Sequence, residues 1–499
     1  MLKKLARKKI EGIDEKIGIL LFVLSISILL FICNHIFNQF VWYDEIFTLN
    51  ILKNSYLNMV EITSADVHPP LYYIILKSVF KLFYLLKISF NEIILAKIVS
   101  MTPLILLIVF SAVKIRKNFG WLSAGIFAFS VVAMPQLLYY GIEIRMYSWA
   151  LIFVTLSFYY GNQITNTSKV KYWILFTFFS ILAAYTHYFA GVGVVIIYLL
   201  LFSWLFFKNR KELKKWLLST ITSILLYLPW LFILINQMKM VKNDYWIEPI
   251  TLSSLQSYLW FILSPFSQGD LSYEWFSSIF VILLLLCIIA LFAYYLLKNK
   301  EKKDFLALGV VILVGTILFG VIVSIVFKPV FVARYVVPVL SCFWLAFSVL
   351  LAKFYSKKQI FIPILMIILI VGAVNLIALV GDEKQNEIID NQKREILSKI
   401  TSKDDIIIHT NIGIYKASGY YTKGTNYFFA DNQNKCLKKI EKSLNKGKNV
   451  WFFTKNDKIN EFNKTMIENG YFLEKKIDLG KSPNGIIYPE SAYLIKKYD

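Results

Sequence analysis

The side chains that could carry acid–base and anion chemistry fall at a few places in this chain. Asp44 and Glu45 stand in Val41-Trp-Tyr-Asp-Glu-Ile46, and Asp66 and His68 in Asp66-Val-His-Pro-Pro-Leu-Tyr-Tyr73, with Lys77 just beyond. Glu143, Arg145 and Tyr147 share Glu143-Ile-Arg-Met-Tyr147, His187 stands alone, and Arg334 and Tyr335 open Arg334-Tyr-Val-Val-Pro338. A carboxylate can take the proton of an attacking hydroxyl, and guanidinium groups stabilise a departing anion. Each group also has a plainer reading. Asp44 and Glu45, or Asp66 before Pro-Pro, could cap a helix whose N-terminal dipole favours anions. Glu143 and Arg145 could pair at the surface, His68 could be incidental, His187 could be a packed imidazole, and Arg334 could snorkel to headgroups. What separates the readings is whether one fold brings these residues to one place.

The elements that must position them are read from composition. Of 499 residues, 57% are hydrophobic and 17% charged, where a soluble domain shows about 45–50% and about 25%. A soluble multidomain enzyme, a disordered chain and a disulfide scaffold are thereby excluded. The fold class implied is a polytopic α-helical membrane protein. The net charge of +22 comes from 54 Lys and Arg scattered in short clusters between apolar runs, a pattern of membrane topology rather than of a nucleic-acid surface. Cys33, Cys287 and Cys342 lie in apolar runs and Cys436 stands alone in the polar tail, so the thiols read as packing residues.

With about 20 apolar residues needed per span, eleven spans are expected at 17–37, 92–113, 119–140, 146–161, 172–190, 191–207, 216–236, 276–298, 305–327, 335–353 and 359–380. The first is too long for a signal-peptide core and has no small-residue cleavage site. The apolar stretch Leu71–Ile88 carries Lys77, Lys81 and Lys87 on one side, which suits a helix lying in the interface. Leaving it out places 23 Lys and Arg in cytoplasmic termini and loops against nine in external loops before the tail, as the positive-inside rule requires. The N-terminus is then cytoplasmic. All the reactive groups named above come to the external face.

Two external regions follow. Residues 38–91 form a first loop with two amphipathic stretches, Ile46–Val60 and the lysine-striped helix after Pro70. Residues 381–499 form a polar tail with strand-like runs at Asp405–His409, Asn449–Thr454 and Ala492–Ile495 and a helical stretch from Lys458 to Asn469 closed by Gly470. This reads as a small α/β domain. The domain division is therefore 1–380, transmembrane, and 381–499, external.

Trp42-Tyr-Asp-Glu45, Asp66-Val-His-Pro-Pro-Leu-Tyr-Tyr73, Glu143-Ile-Arg-Met-Tyr147 and Arg334-Tyr-Val-Val-Pro338 in this order resemble the signature points of bacterial family 39-like glycosyltransferases. These belong to the C-type glycosyltransferase (GT-C) superfamily with the protein O-mannosyltransferases and the lipid A aminoarabinose transferases. The similarity covers roughly Ile17 to Val380, and the tail is similar to the variable external domain of many relatives. The resemblance implies transfer of a sugar from a polyprenyl-phosphate donor to a cell-envelope glycan, lipid or protein on the external face, with inversion. It implies Asp44 as the base and Glu45 as an orienting acid. It also implies Arg145 and Arg334 as phosphate ligands, with Lys77 and His187 beside them, and Glu143, Tyr147 and Tyr335 in the same substrate site. Metal dependence varies among such relatives, so Asp66 and His68 could assist a divalent metal or only hold the loop, and no cofactor is assigned. The competing readings are a multispan transporter or lipid flippase and a non-catalytic envelope assembly protein. Against the first stands the scarcity of ionisable groups deep in the spans.

Overall fold

Apolar runs of span length have to satisfy their backbone polar groups internally in lipid, and they fold as helices. A computed structural model of the chain describes residues 2–36, 41–167, 169–243, 247–264, short pieces of 279–293, 305–409, 422–428, 433–455, 459–478 and 490–498. Among the described residues seven helices are long and apolar enough to cross a membrane: Gly12–Cys33, Glu92–Ala133, Tyr188–Lys208, Arg210–Met240, Phe305–Val326, Ala333–Lys353 and Lys358–Lys399. Val170–Thr186 is apolar but shorter. The chain is a multi-pass helical membrane protein. It divides into two compact units, one of residues 1–37 with 51–380 and the other of residues 38–50 with 381–499.

Several expected boundaries shift. No loop separates the second and third expected spans: helix Glu92–Phe110 runs through a π-helical turn, Ser111–Ile115, into Arg116–Ala133. The break comes instead at Gly120, whose φ of 85° costs a glycine little and other residues more. The third expected span ends early as well. Ala133 is the last residue of its helix, Gln136 takes a left-handed φ of 67°, and a short helix Leu137–Ile142 follows. His187, expected inside the fifth span, is the break between Val170–Thr186 and Tyr188–Lys208. The stretch 46–60 is two helices, Tyr43–Ile51 and Tyr56–Ser64, because Ser55 caps the second by accepting the Asn58 N–H at 3.2 Å. Composition gave no warning of helix Leu252–Leu263. The expected span 276–298 lies mostly outside the described residues.

In the first unit, helix Val337–Lys353 is buried along most of its length, between Arg116–Ala133, Tyr147–Thr167 and Gly309–Val326. Gly18 of the first helix faces Gly125, and a Cβ on either would run into the other helix's backbone. Small residues let helix backbones approach this closely where apolar area gives no drive in lipid.

The second unit holds a five-stranded sheet, β1 Ile406–His409, β2 Thr425–Phe428, β3 Val450–Lys455, β4 Tyr471–Asp478 and β5 Glu490–Lys497, in the order β2-β1-β3-β5-β4. β1 pairs in parallel with β2 and β3, while β5 is antiparallel to β3 and β4. Helices Gln433–Leu444 and Ile459–Glu468 contribute Cys436, Ile440 and Met466 to a core with Ile406, Ile408 and Phe452. Cys436, which the sequence places alone among polar residues, is buried there.

Candidate active site

Four chain segments of the first unit meet around His187. The loop after Tyr56–Ser64 brings Asp66 and His68, and Pro69 and Pro70 start helix Leu71–Leu85. Tyr72 and Tyr73 on its first turn are fully buried. The Tyr72 hydroxyl bonds Ser100 Oγ at 2.7 Å, and Tyr73 accepts from Arg145 Nη1 at 3.3 Å. Arg145 is 2% exposed and sits in the turn between Leu137–Ile142 and Tyr147–Thr167, where its N–H donates to the Glu143 carbonyl at 2.6 Å. Glu143 and Tyr147 are buried with it. The last segment is a single 3₁₀ turn, Ala333–Val336, which delivers Arg334 and Tyr335 just before Pro338 starts the next helix.

His187 is the centre of the group. Its ring centroid lies 6.0 Å from His68, 5.5 Å from Tyr147 and 5.2 Å from Tyr335, and Tyr335 stacks on Phe189 at 5.1 Å. As N-cap of Tyr188–Lys208, its Nδ1 accepts the Phe189 N–H at 3.1 Å. Burial, then Arg145, then Arg334 hold this imidazole down to a pKa of about 3. His68 is lowered well below the usual range by burial and then by Arg145, His187 and Arg334. Two guanidinium groups therefore act on two imidazoles that stay neutral at physiological pH.

Behind this group lies a bonded network that little in the sequence announces. Trp230 Nε1 donates to the Tyr188 hydroxyl at 3.1 Å, Tyr188 donates to Gln237 Oε1, and Gln237 Nε2 donates to the Thr63 and Ser64 carbonyls at 2.9 and 3.2 Å. Gln237, buried near the end of helix Leu213–Asn243, thus ties the loop of Asp66 and His68 to the helix that His187 caps.

Asp44 and Glu45 belong to the second unit. Both lie in the first turn of Tyr43–Ile51, where Glu45 is buried and its Oε2 accepts the Trp42 N–H at 3.0 Å. That is the reach-back half of a capping box. The backbone carbonyl of Asp44 accepts from Thr48 Oγ1 at 3.0 Å.

No family model and no curated protein matches the chain. Solved structures do. ArnT from Cupriavidus metallidurans in the apo state superposes with a TM-score of 0.56 at 12% identity, covering 94% of this chain and 97% of that one. The same protein bound to undecaprenyl phosphate gives 0.53 at 11%, over 95% and 97%. The chain shares the fold of ArnT.

Within this fold, His68, Arg145, Tyr147, His187, Arg334 and Tyr335 come together in one buried cluster. Asp66 lies within electrostatic reach of Tyr188, the residue after His187. Lys77 is directed elsewhere: its Nζ donates to the Leu52 carbonyl at 2.7 Å and lies 5.3 Å from the centre of the Tyr56 ring. A divalent metal does not fit the pocket. Among the described residues no three of His, Cys, Asp and Glu converge, and the two guanidinium groups that depress His68 and His187 would repel a cation. Sequence reasoning passed over Tyr73, which accepts from Arg145, and Gln237, which holds the loop of His68.

Proposed function

We propose that the chain is a membrane glycosyltransferase that moves a sugar from a polyprenyl-phosphate donor to a cell-envelope acceptor on the external face, with inversion at the anomeric carbon. The observation that carries this reading is the pocket of Arg145 and Arg334 with the neutral imidazoles of His68 and His187. It stands in a chain that shares its fold, nearly end to end, with a protein bound to undecaprenyl phosphate. In this reading Arg145 and Arg334 hold the donor phosphate, and Tyr147, Tyr335 and Glu143 line the same substrate site. Lys77 would join the phosphate only by leaving the Leu52 carbonyl. Asp44 is the base and Glu45 orients its helix. As the acceptor oxygen bonds the anomeric carbon, its proton passes to Asp44. The bond from that carbon to the phosphate oxygen breaks, and the electron pair leaves with the polyprenyl phosphate. Opposite charges suit these two tasks, one at the entering hydroxyl and one at the leaving group.

Residues 1–380 form the catalytic domain in this proposal and 381–499 an external domain, with the N-terminus cytoplasmic. Radiolabelled sugar transfer from polyprenyl phosphate by purified, reconstituted protein tests the reading. Label appearing in a lipid, glycan or protein acceptor supports it, and lipid translocation without transfer would replace it with a flippase.

A further inference from the structure

We infer that His187 is a neutral hydrogen-bond donor that meets an anionic phosphate oxygen of the donor through Nε2–H, between Arg145 and Arg334. The inference rests on the glycosyltransferase reading and deepens it. Three observations lead to it. First, Nδ1 is already committed as an acceptor, taking the Phe189 N–H at 3.1 Å as the N-cap of the following helix. An imidazole with an accepting Nδ1 carries its single proton on Nε2, so backbone geometry alone sets the tautomer. Second, Nε2 is buried and finds no hydrogen-bond partner among the described residues. A buried donor left unsatisfied is costly, and a ligand that supplies an acceptor removes that cost. Third, both arginines act electrostatically on this ring. An anionic oxygen placed at Nε2 gains from both this field and the hydrogen bond.

A neutral donor has a reason to be there. A third cation beside Arg145 and Arg334 would be repelled while the pocket is empty, whereas an imidazole held neutral adds a directed N–H without that repulsion. It also gives the phosphate an orientation that two guanidinium groups could satisfy in several ways. The two imidazole centroids lie 6.0 Å apart. His68 is the more exposed of the pair at 8%, against 2% for His187, and it stands on a loop rather than a helix.

Two substitutions separate this role from simple helix capping because each keeps a different half of the imidazole. Asparagine places its oxygen near the position of Nδ1 and keeps the cap but lacks the far nitrogen. Glutamine places an amide nitrogen near Nε2 but is a poor cap. Binding of sugar-free undecaprenyl phosphate to the purified full-length chain in detergent is the measurement, with Arg145→Ala alongside. The inference predicts that His187→Asn binds about tenfold or more weakly than wild type, since a hydrogen bond to a charged group is lost, and that His187→Gln binds more tightly than His187→Asn. His187→Asn binding as tightly as His187→Gln, or more so, overturns it. If Arg145→Ala loses binding while His187→Asn keeps it, the glycosyltransferase reading stands and this inference alone fails. Absence of binding by wild type overturns both. Normal binding of the sugar-free lipid by His187→Asn together with impaired sugar transfer would move the contact from phosphate to sugar and likewise contradict the inference.

Discussion

Gln237 Nε2 donates to the carbonyl of Thr63 at 2.9 Å, joining a helix of the second half of the bundle to the loop that carries Asp66 and His68. With the second bond to Ser64 and the contact to Tyr188, this makes Gln237 a positioning residue for the pocket. Each such bond contributes about 0.5–1.5 kcal/mol. Gln237→Ala is therefore expected to lower transfer about tenfold, mainly through a higher KM for the donor, with insertion and expression intact. Gln237→Glu, which keeps the size but sets a carboxylate against two carbonyls, should be worse. A uniform loss of folded protein without a change in KM would mean that the network only stabilises the bundle.

Arg145 and Tyr73 allow a graded test of the phosphate assignment. In the proposed reading Arg145→Ala removes a charge-assisted contact to the leaving group and should reduce donor use by about 100-fold. Tyr73→Phe removes only the hydroxyl that accepts from Nη1 and should cost about threefold to tenfold. Arg145→Lys restores charge without the forked geometry and should fall between them. Arg334→Ala should resemble Arg145→Ala. Steady-state kinetics on the reconstituted enzyme would give the ranking, and unchanged donor kinetics in both alanine variants would return the two arginines to a snorkelling role.

The depressed imidazoles make stability depend on pH in one direction. His187 binds its proton near pH 3 in the folded chain and near 6.5 when unfolded. Between those values the unfolded state holds more protons, so stability rises with pH. It is fully present above about pH 6.5 and is lost progressively as the pH falls toward 3; His68 shifts the same way. Thermal unfolding in detergent should show a plateau above neutrality and a decline below it, and the decline should be shallower in His68→Phe. Equal slopes for wild type and variant would show that His68 titrates normally.

The proposed topology can be checked with an impermeant thiol reagent on intact cells, using a chain freed of its native cysteines. Position 211 should be protected and a tail position labelled. Exposed Lys446 serves as the tail position. Labelling at 211 with protection at 446 would invert the arrangement.

Hydropathy and charge made the membrane-spanning character legible, and motif order made the pocket members legible one by one. Their convergence was not. His187 looked like one residue of a continuous apolar run, because a helix break made by a histidine cap carries no proline or glycine to announce it. The continuous helix from Glu92 through the cations Lys114, Arg116 and Lys117 was hidden for the opposite reason, since a charge cluster of span-flanking type sits inside helical backbone. Strands β2 and β4 were passed over because polar residues interrupt their apolar positions, in Thr425–Phe428 and Tyr471–Asp478. Gln237 was legible only as a polar residue near the end of an apolar run, since its acceptors at Thr63 and Ser64 are backbone carbonyls far away in sequence.

The acids of the first loop bear the central claim. Glu45 makes the reach-back contact to Trp42, so the capping role falls to it, and Asp44 is assigned the proton. The decisive measurement is sugar transfer from polyprenyl phosphate by reconstituted Asp44→Asn, compared with wild type and Glu45→Gln at matched expression and thermal stability. Asparagine nearly matches aspartate in volume but cannot accept the acceptor's proton. Transfer is expected to fall by about 10²–10⁴ while donor binding and unfolding temperature stay near wild type, and Glu45→Gln, whose amide oxygen can still accept the Trp42 N–H, should keep its stability and lose less rate. Near-wild-type transfer by Asp44→Asn would contradict the account, and a loss confined to Glu45→Gln would move the base one residue along.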